Sequence, residues 1–167
     1  MKYQTGFKRL GAAIIDIIVF IPFILIEQWA QEKNDNSSVI ISYIILNAFL
    51  PLLYSIILHY RYGQTLGKWV VGVKVVDISE LKGLTLKQSV VRDSFGLVTE
   101  VAGLVYFVTI FMNADRSEFL YDLYNDYADF TTLPFFCWAG IELISMLMNR
   151  KRRAVHDFLA KSVVIRS

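Results

Sequence analysis

Four stretches of this chain, residues 10–28, 39–58, 94–112 and 130–148, are long and apolar enough to cross a membrane as helices, a crossing that takes about 20 residues. We therefore expect an all-α membrane protein, a four-helix transmembrane bundle occupying residues 1–167 as a single domain. The composition agrees: 55% of the 167 residues are hydrophobic, 19% are charged and the mean hydropathy is +0.46, values foreign to a soluble domain. Lys2, Lys8 and Arg9 precede the first stretch as they would in a signal peptide, but Asp16 interrupts it and no small-x-small cleavage site follows. The first stretch reads as a retained anchor.

The net charge of +2 is uninformative until the cations are sorted by position. Basic residues near span ends are held on the cytoplasmic side. Residues 1–9 carry three Lys or Arg, the loop 59–93 six and the tail 149–167 six, against Lys33 and Arg116 in the two opposite loops. Fifteen against two predicts a cell-membrane protein with both termini cytoplasmic. The expected outer loop at 115–129 is acidic, and Leu120, Leu123, Tyr124 and Tyr127 recur there at helical spacing. We expect a short outer interfacial helix. Its acids form either a cation-attracting vestibule or simply a solvated face. Asn36-Ser37-Ser38 has the form of a glycosylation sequon.

The cytoplasmic segments carry a different pattern. Gly63-Gln64-Thr65-Leu66-Gly67-Lys68 is turn-rich, Val70 to Asp77 is a β-branched run containing Gly72, and Ser162 to Arg166 repeats that chemistry, so the two runs are expected to pair as a small cytoplasmic β element. A phosphate-binding loop needs four residues between its glycines and Ser or Thr after the lysine. Here there are three, and Trp69 follows, so an interfacial turn is the better reading. Thr85 and Gln88 form a capping box, opening a helix expected to run through Arg92 into the third span.

Ionisable residues inside spans are costly and mark candidate sites. Asp16, Glu100 and Glu142 each lie six residues from the inner end of a different span, about 9 Å above the boundary at 1.5 Å per residue. Carboxylates gathered in a low-dielectric layer cannot all stay ionised without a cation. A shared proton, Na⁺, or Arg9 and Arg92 as static partners would each answer that requirement. Arg9, Asp16 and Glu27 share a stripe of the first span; Tyr43, Asn47, Pro51 and Tyr54 line one side of the second; Asp93, Gly96, Glu100 and Gly103 share a face of the third. His59 and His156 lack the spacing of a metal site, so no metal and no cofactor is expected. The run Arg150-Lys151-Arg152-Arg153 is either a headgroup contact or only the topology signal. Cys137 has no base beside it.

The residues singled out resemble the RDD family of bacterial membrane proteins, named for one arginine and two aspartates. Phe7-Lys8-Arg9-Leu10-Gly11-Ala12-Ala13-Ile14-Ile15-Asp16 looks like its opening pattern, Gly63 to Lys68 with Gly72 to Asp77 like its middle one, and Arg152-Arg153-Ala154-Val155-His156-Asp157 with Val163-Val164 like its closing one. The resemblance implies that Arg9, Asp16 and Asp157 are the three named residues, and that the protein takes part in transport of ligands not yet defined, with sodium/proton exchange suggested for some members. It does not reach residues 93–149, so Glu100 and Glu142 stand on the residue argument alone.

Two functions fit. In one, Asp16, Glu100 and Glu142 bind H⁺ or Na⁺ while Arg9 competes for the same carboxylate, with the path between subunits of a homo-oligomer. In the other, the charged layer fixes helix packing and the cytoplasmic motif residues Gly63, Thr65, Gly67, Lys68, Gly72, Arg92, Arg153, His156 and Asp157 engage another membrane protein. The lipid bilayer is a partner in both, nucleic acid in neither. No nucleophile with a base and an orienting group is present, so we expect no enzyme.

Overall fold

The computed structural model describes residues 2–33, 37–113 and 120–167. Long helices α1 (Gly6–Lys33) and α2 (Ser37–Tyr62) are followed by a short helix α3 (Leu66–Val70), strand β1 (Val73–Asp77), helix α4 (Leu86–Arg92), helices α5 (Ser94–Asn113) and α6 (Leu120–Leu147), then α7 (Val155–Leu159) and β2 (Ser162–Arg166). Within them α1, α2 and α6 are each long and apolar enough to span, and α4 with α5 reaches that length and hydropathy only as a pair bent by 61°, which makes three to four spans. Pro22, Pro51 and Pro134 lie inside α1, α2 and α6, positions that membrane helices tolerate. Only 11%, 11% and 6% of the apolar windows of α1, α2 and α6 are buried within the chain, as expected where lipid or another chain covers the rest.

The small sheet forms as the β-branched runs imply, but β1 begins at Val73 rather than Val70. It pairs antiparallel with β2, from Val73 opposite Arg166 to Asp77 opposite Ser162. Val73, Val75 and Val164 bury one face with Leu84, and Val71 packs against them. The pairing brings the chain ends together: the Arg166 amide donates to the Lys2 carbonyl at 3.2 Å.

Three local expectations change. The stretch read as a turn at Gly63 to Lys68 contains α3, because Thr65 caps it, its Oγ1 accepting from the Lys68 amide at 3.4 Å. The capping box at Thr85 is present, with Gln88 bonded back to the Thr85 amide at 3.0 Å, yet its helix does not run straight into the third span. It ends at Asp93, whose carboxylate turns to Ser55 of α2, and α5 restarts at 61° to it. Residues 120–129, expected as a separate interfacial helix, are helical but continue unbroken into the fourth span as part of α6. The side chains of that acidic stretch up to residue 128, and Asn36 of the sequon, lie outside the described residues.

Candidate functional site

Two carboxylates organise the end of the bundle that carries both termini, and they do so separately. Asp16, half-buried in α1, accepts three hydrogen bonds: from the Tyr54 hydroxyl of α2 at 2.8 Å, Thr65 Oγ1 at 2.6 Å and the Gly67 amide at 2.8 Å. Tyr54 in turn accepts from the Leu66 amide at 2.9 Å. Asp16 thus holds the first turn of α3 against both spans. The approach is so close that a Cβ on Gly67 would lie 2.1 Å from the Ala12 carbonyl oxygen and 2.9 Å from Asp16 Cγ. Gly63 and Gly72, flanking α3, both take left-handed backbone at φ +72° and +67°, which glycine adopts without strain. A Cβ on Gly63 would also meet the Val75 carbonyl oxygen at 2.6 Å.

Asp157, fully buried in α7, is the second centre. Arg9 Nη1 of α1 reaches its Oδ2 at 2.7 Å, and Arg92 Nη1 of α4 bonds its Oδ1. The Ala154 amide donates at 3.0 Å and Ser162 Oγ at 3.2 Å. Arg153 binds the backbone around the same turn, its Nη2 on the Asp157 carbonyl at 3.0 Å and its Nε on the Ser162 carbonyl at 2.9 Å. Burial alone would raise the Asp157 pKa; Arg92, His156 and Arg9, with the Ala154 amide, outweigh it and hold the carboxyl well below its usual range.

His156 extends this centre to α6. Its amide donates to Glu142 Oε1 at 3.0 Å and its Nδ1 lies 2.6 Å from Glu142 Oε2, while Nε2 faces Arg92 Nη2 at 2.7 Å. A guanidinium can only donate, so Nε2 accepts and the proton sits on Nδ1, the ring nitrogen nearer Glu142. That assignment makes the imidazole neutral. Burial first, then Arg92, lowers the His156 pKa in the same sense.

Asp16 and Glu142, expected at one depth, do not share hydrogen-bond partners. They belong to different centres, and Glu100 is half-buried in α5. Nor does Arg9 compete for Asp16. It turns to Asp157 because α7 folds back beneath α1 and α6, a placement invisible to helical phase within one span; its Nη1 also lies 3.2 Å from Met146 Sδ. The α2 stripe is better matched, since Tyr54 binds Asp16 and Asn47 binds Glu27. Lys68 is surrounded rather than free: burial, then Arg92, push its amine down to about 8 against the opposing pull of Asp16 and Asp93.

Two groups were not foreseen. Ser55 Oγ lies 3.0 Å from both carboxylate oxygens of Asp93 and 3.1 Å from Nδ1 of the buried His59. Glu80 gathers Lys2 at 2.5 Å, the Tyr3 hydroxyl at 2.5 Å and Lys151 at 3.0 Å. The signal for Ser55 was its place four residues before His59 on one face of α2; for Glu80, an acid isolated among loop cations, there was none. Among the described residues no three His, Cys, Asp or Glu side chains gather as a metal set.

The family model that describes the RDD family matches residues 3–126, a stretch holding Arg9, Asp16 and the segment from Gly63 to Asp77; Glu142 and Asp157 lie beyond it. The protein named Uncharacterized protein YckC from Bacillus subtilis (strain 168) is 38% identical over 105 residues. That match covers 60% of this chain and 60% of the relative. No solved structure matches the chain.

Proposed function

This chain belongs to the RDD family, and from that premise we propose that it is a non-catalytic interaction protein of the membrane. The spans anchor it, and the platform of α3, the sheet, α4 and α7 engages another membrane protein. One observation carries this reading: Asp157 is held at once by Arg9, Arg92, Ser162 and the Ala154 amide. A cation carrier needs a carboxylate whose partner can leave. Here the partners are two guanidiniums from different elements, and removing one would leave buried charge uncompensated. A lock of that kind fixes the platform to the spans. The platform also offers apolar surface outside the spans, with Trp69 67% and Val70 62% exposed on α3. The basic asymmetry of the sequence supports a cytoplasmic placement of this surface.

A second reading, proton- or sodium-coupled transport, draws on buried polar atoms without partners, Arg9 Nε and Nη2 and His59 Nε2. Such atoms can serve a water path. Two measurements separate the readings. A photo-crosslinker placed at Trp69 in intact membranes should capture a second polypeptide of discrete mass, and capture should fail in Asp157→Asn; the mass distinguishes another protein from a second copy of this chain. Purified protein in proteoliposomes should move neither Na⁺ nor H⁺ above protein-free vesicles. Ion flux that disappears in Asp16→Asn would instead establish transport.

A further inference from the structure

The turn after α6 builds a cleft that the interaction reading leaves unused. The apolar window of α6 ends at Leu147 after 19 residues, about 29 Å of helix, which equals the thickness of a hydrocarbon core. The chain therefore leaves the span at headgroup depth. There Asn149 arrests the helix: its Nδ2 donates to the Ser145 and Arg153 carbonyls at 2.6 Å each, and its Oδ1 accepts from the Arg153 amide at 2.8 Å. Arg152 adopts left-handed backbone, φ 50°. The N-terminal segment lies opposite, and between them opens a cleft of about 470 Å³ whose lining includes Lys2, Arg150 and Arg152 together with Leu147 and Met148. That volume is within the roughly 300–1,000 Å³ of ordinary ligand sites.

Charge around the cleft is unbalanced in one direction. Glu80, the carboxylate beside it, is occupied by Lys2, Tyr3 and Lys151, and those bonds hold its carboxyl down to about 2. Its negative charge is thus already matched. Among the described residues, neither Arg150 nor Arg152 has a carboxylate within ion-pair distance. Two guanidiniums suit a phosphate, which they can grip with paired donors. Leu147 and Met148, 63% and 82% exposed, supply an apolar wall that a free anion would not use. We propose that this cleft binds the headgroup of an anionic phospholipid, its phosphate on Arg150 and Arg152 and its acyl chains over Leu147 and Met148.

The test is native mass spectrometry of the full chain in detergent with phosphatidylglycerol, phosphatidylcholine of the same acyl chains, or inorganic phosphate. Phosphatidylglycerol should be retained about tenfold more than phosphatidylcholine, and millimolar inorganic phosphate should not displace it. Arg150→Gln with Arg152→Gln should lower retention about 25-fold, near fivefold per cation, while Lys87→Gln, an exposed lysine at the start of α4, should change nothing. Should the double variant misfold, Arg150→Gln alone reads the fivefold step. Equal retention of the two lipids, unchanged retention in the arginine variants, or displacement by inorganic phosphate would each overturn the proposal.

Discussion

At the residue scale the molecule is governed by a few carboxylates whose partners come from far along the chain. Asp157→Asn would leave Arg9 and Arg92 buried against a neutral amide. Breaking a buried pair costs about 3–5 kcal/mol, so the variant should melt well below the parent in thermal unfolding. Arg92→Lys should not substitute, because one ammonium cannot reproduce the two guanidinium nitrogens placed on Asp157 and His156. The pH dependence follows from the same contacts. Asp157 has a folded pKa below its ordinary 3.8, so its stabilisation is complete above that value and declines as pH falls toward the folded one. Melting of the parent should therefore drop below about pH 4, and Asp157→Asn should lack that component. Glu80 behaves alike at the surface, its carboxyl lowered from 4.5 to about 2 first by Lys2, then Tyr3 and Lys151. Acidification through that window should release the N-terminal segment, read as faster amide exchange at residues 2–5. Glu80→Gln should release it already at neutral pH.

At the element scale, α3 shows what sequence could and could not convey. Gly63, Gly67 and Gly72 stand out in the sequence, and two of them adopt the backbone that turn glycines imply. Gly67 has another use. It lies inside a helix so that α3 can touch the α1 backbone, and a contact between residues 67 and 12 leaves no periodic trace. Gly67→Ala should force α3 away from Ala12 at a cost of about 1–3 kcal/mol, as overpacking does, read as new protease cleavage between residues 63 and 72. The break at Asp93 was hidden for a related reason: the residues around it suit a continuous helix locally, and the contacts at the bend, Ser55 with Asp93 and Asp157 with Arg92, come from far along the chain. The capping box was legible because both its halves lie within four residues. Thr85→Ala should cost about 1 kcal/mol, confined to faster amide exchange in α4.

At the scale of the whole molecule, the spans and the small sheet were legible because hydropathy and β-branching act over contiguous residues. The polar centres were not. Arg9 and Asp157 are 148 residues apart and Arg92 and Asp157 are 65 apart, so helical phase could single out Asp16 as an acid within a span but not supply its partners. What ties these scales together is sidedness, because the platform, the Asp157 centre and the cleft after α6 all lie at the end where Lys2 and Arg166 meet. If the fifteen-to-two distribution of cations governs insertion, that end faces the cytoplasm. With Cys137 replaced by serine, a single cysteine at Lys87, exposed on α4, should react with a membrane-impermeant maleimide only in inverted vesicles. One at Lys33, exposed at the far end of α1, should react only in right-side-out vesicles or whole cells. Labelling in the opposite sense would place the platform outside, where a cytoplasmic partner could not reach Trp69. Labelling of both positions from one side would mean that α2, and with it α1, does not cross the membrane.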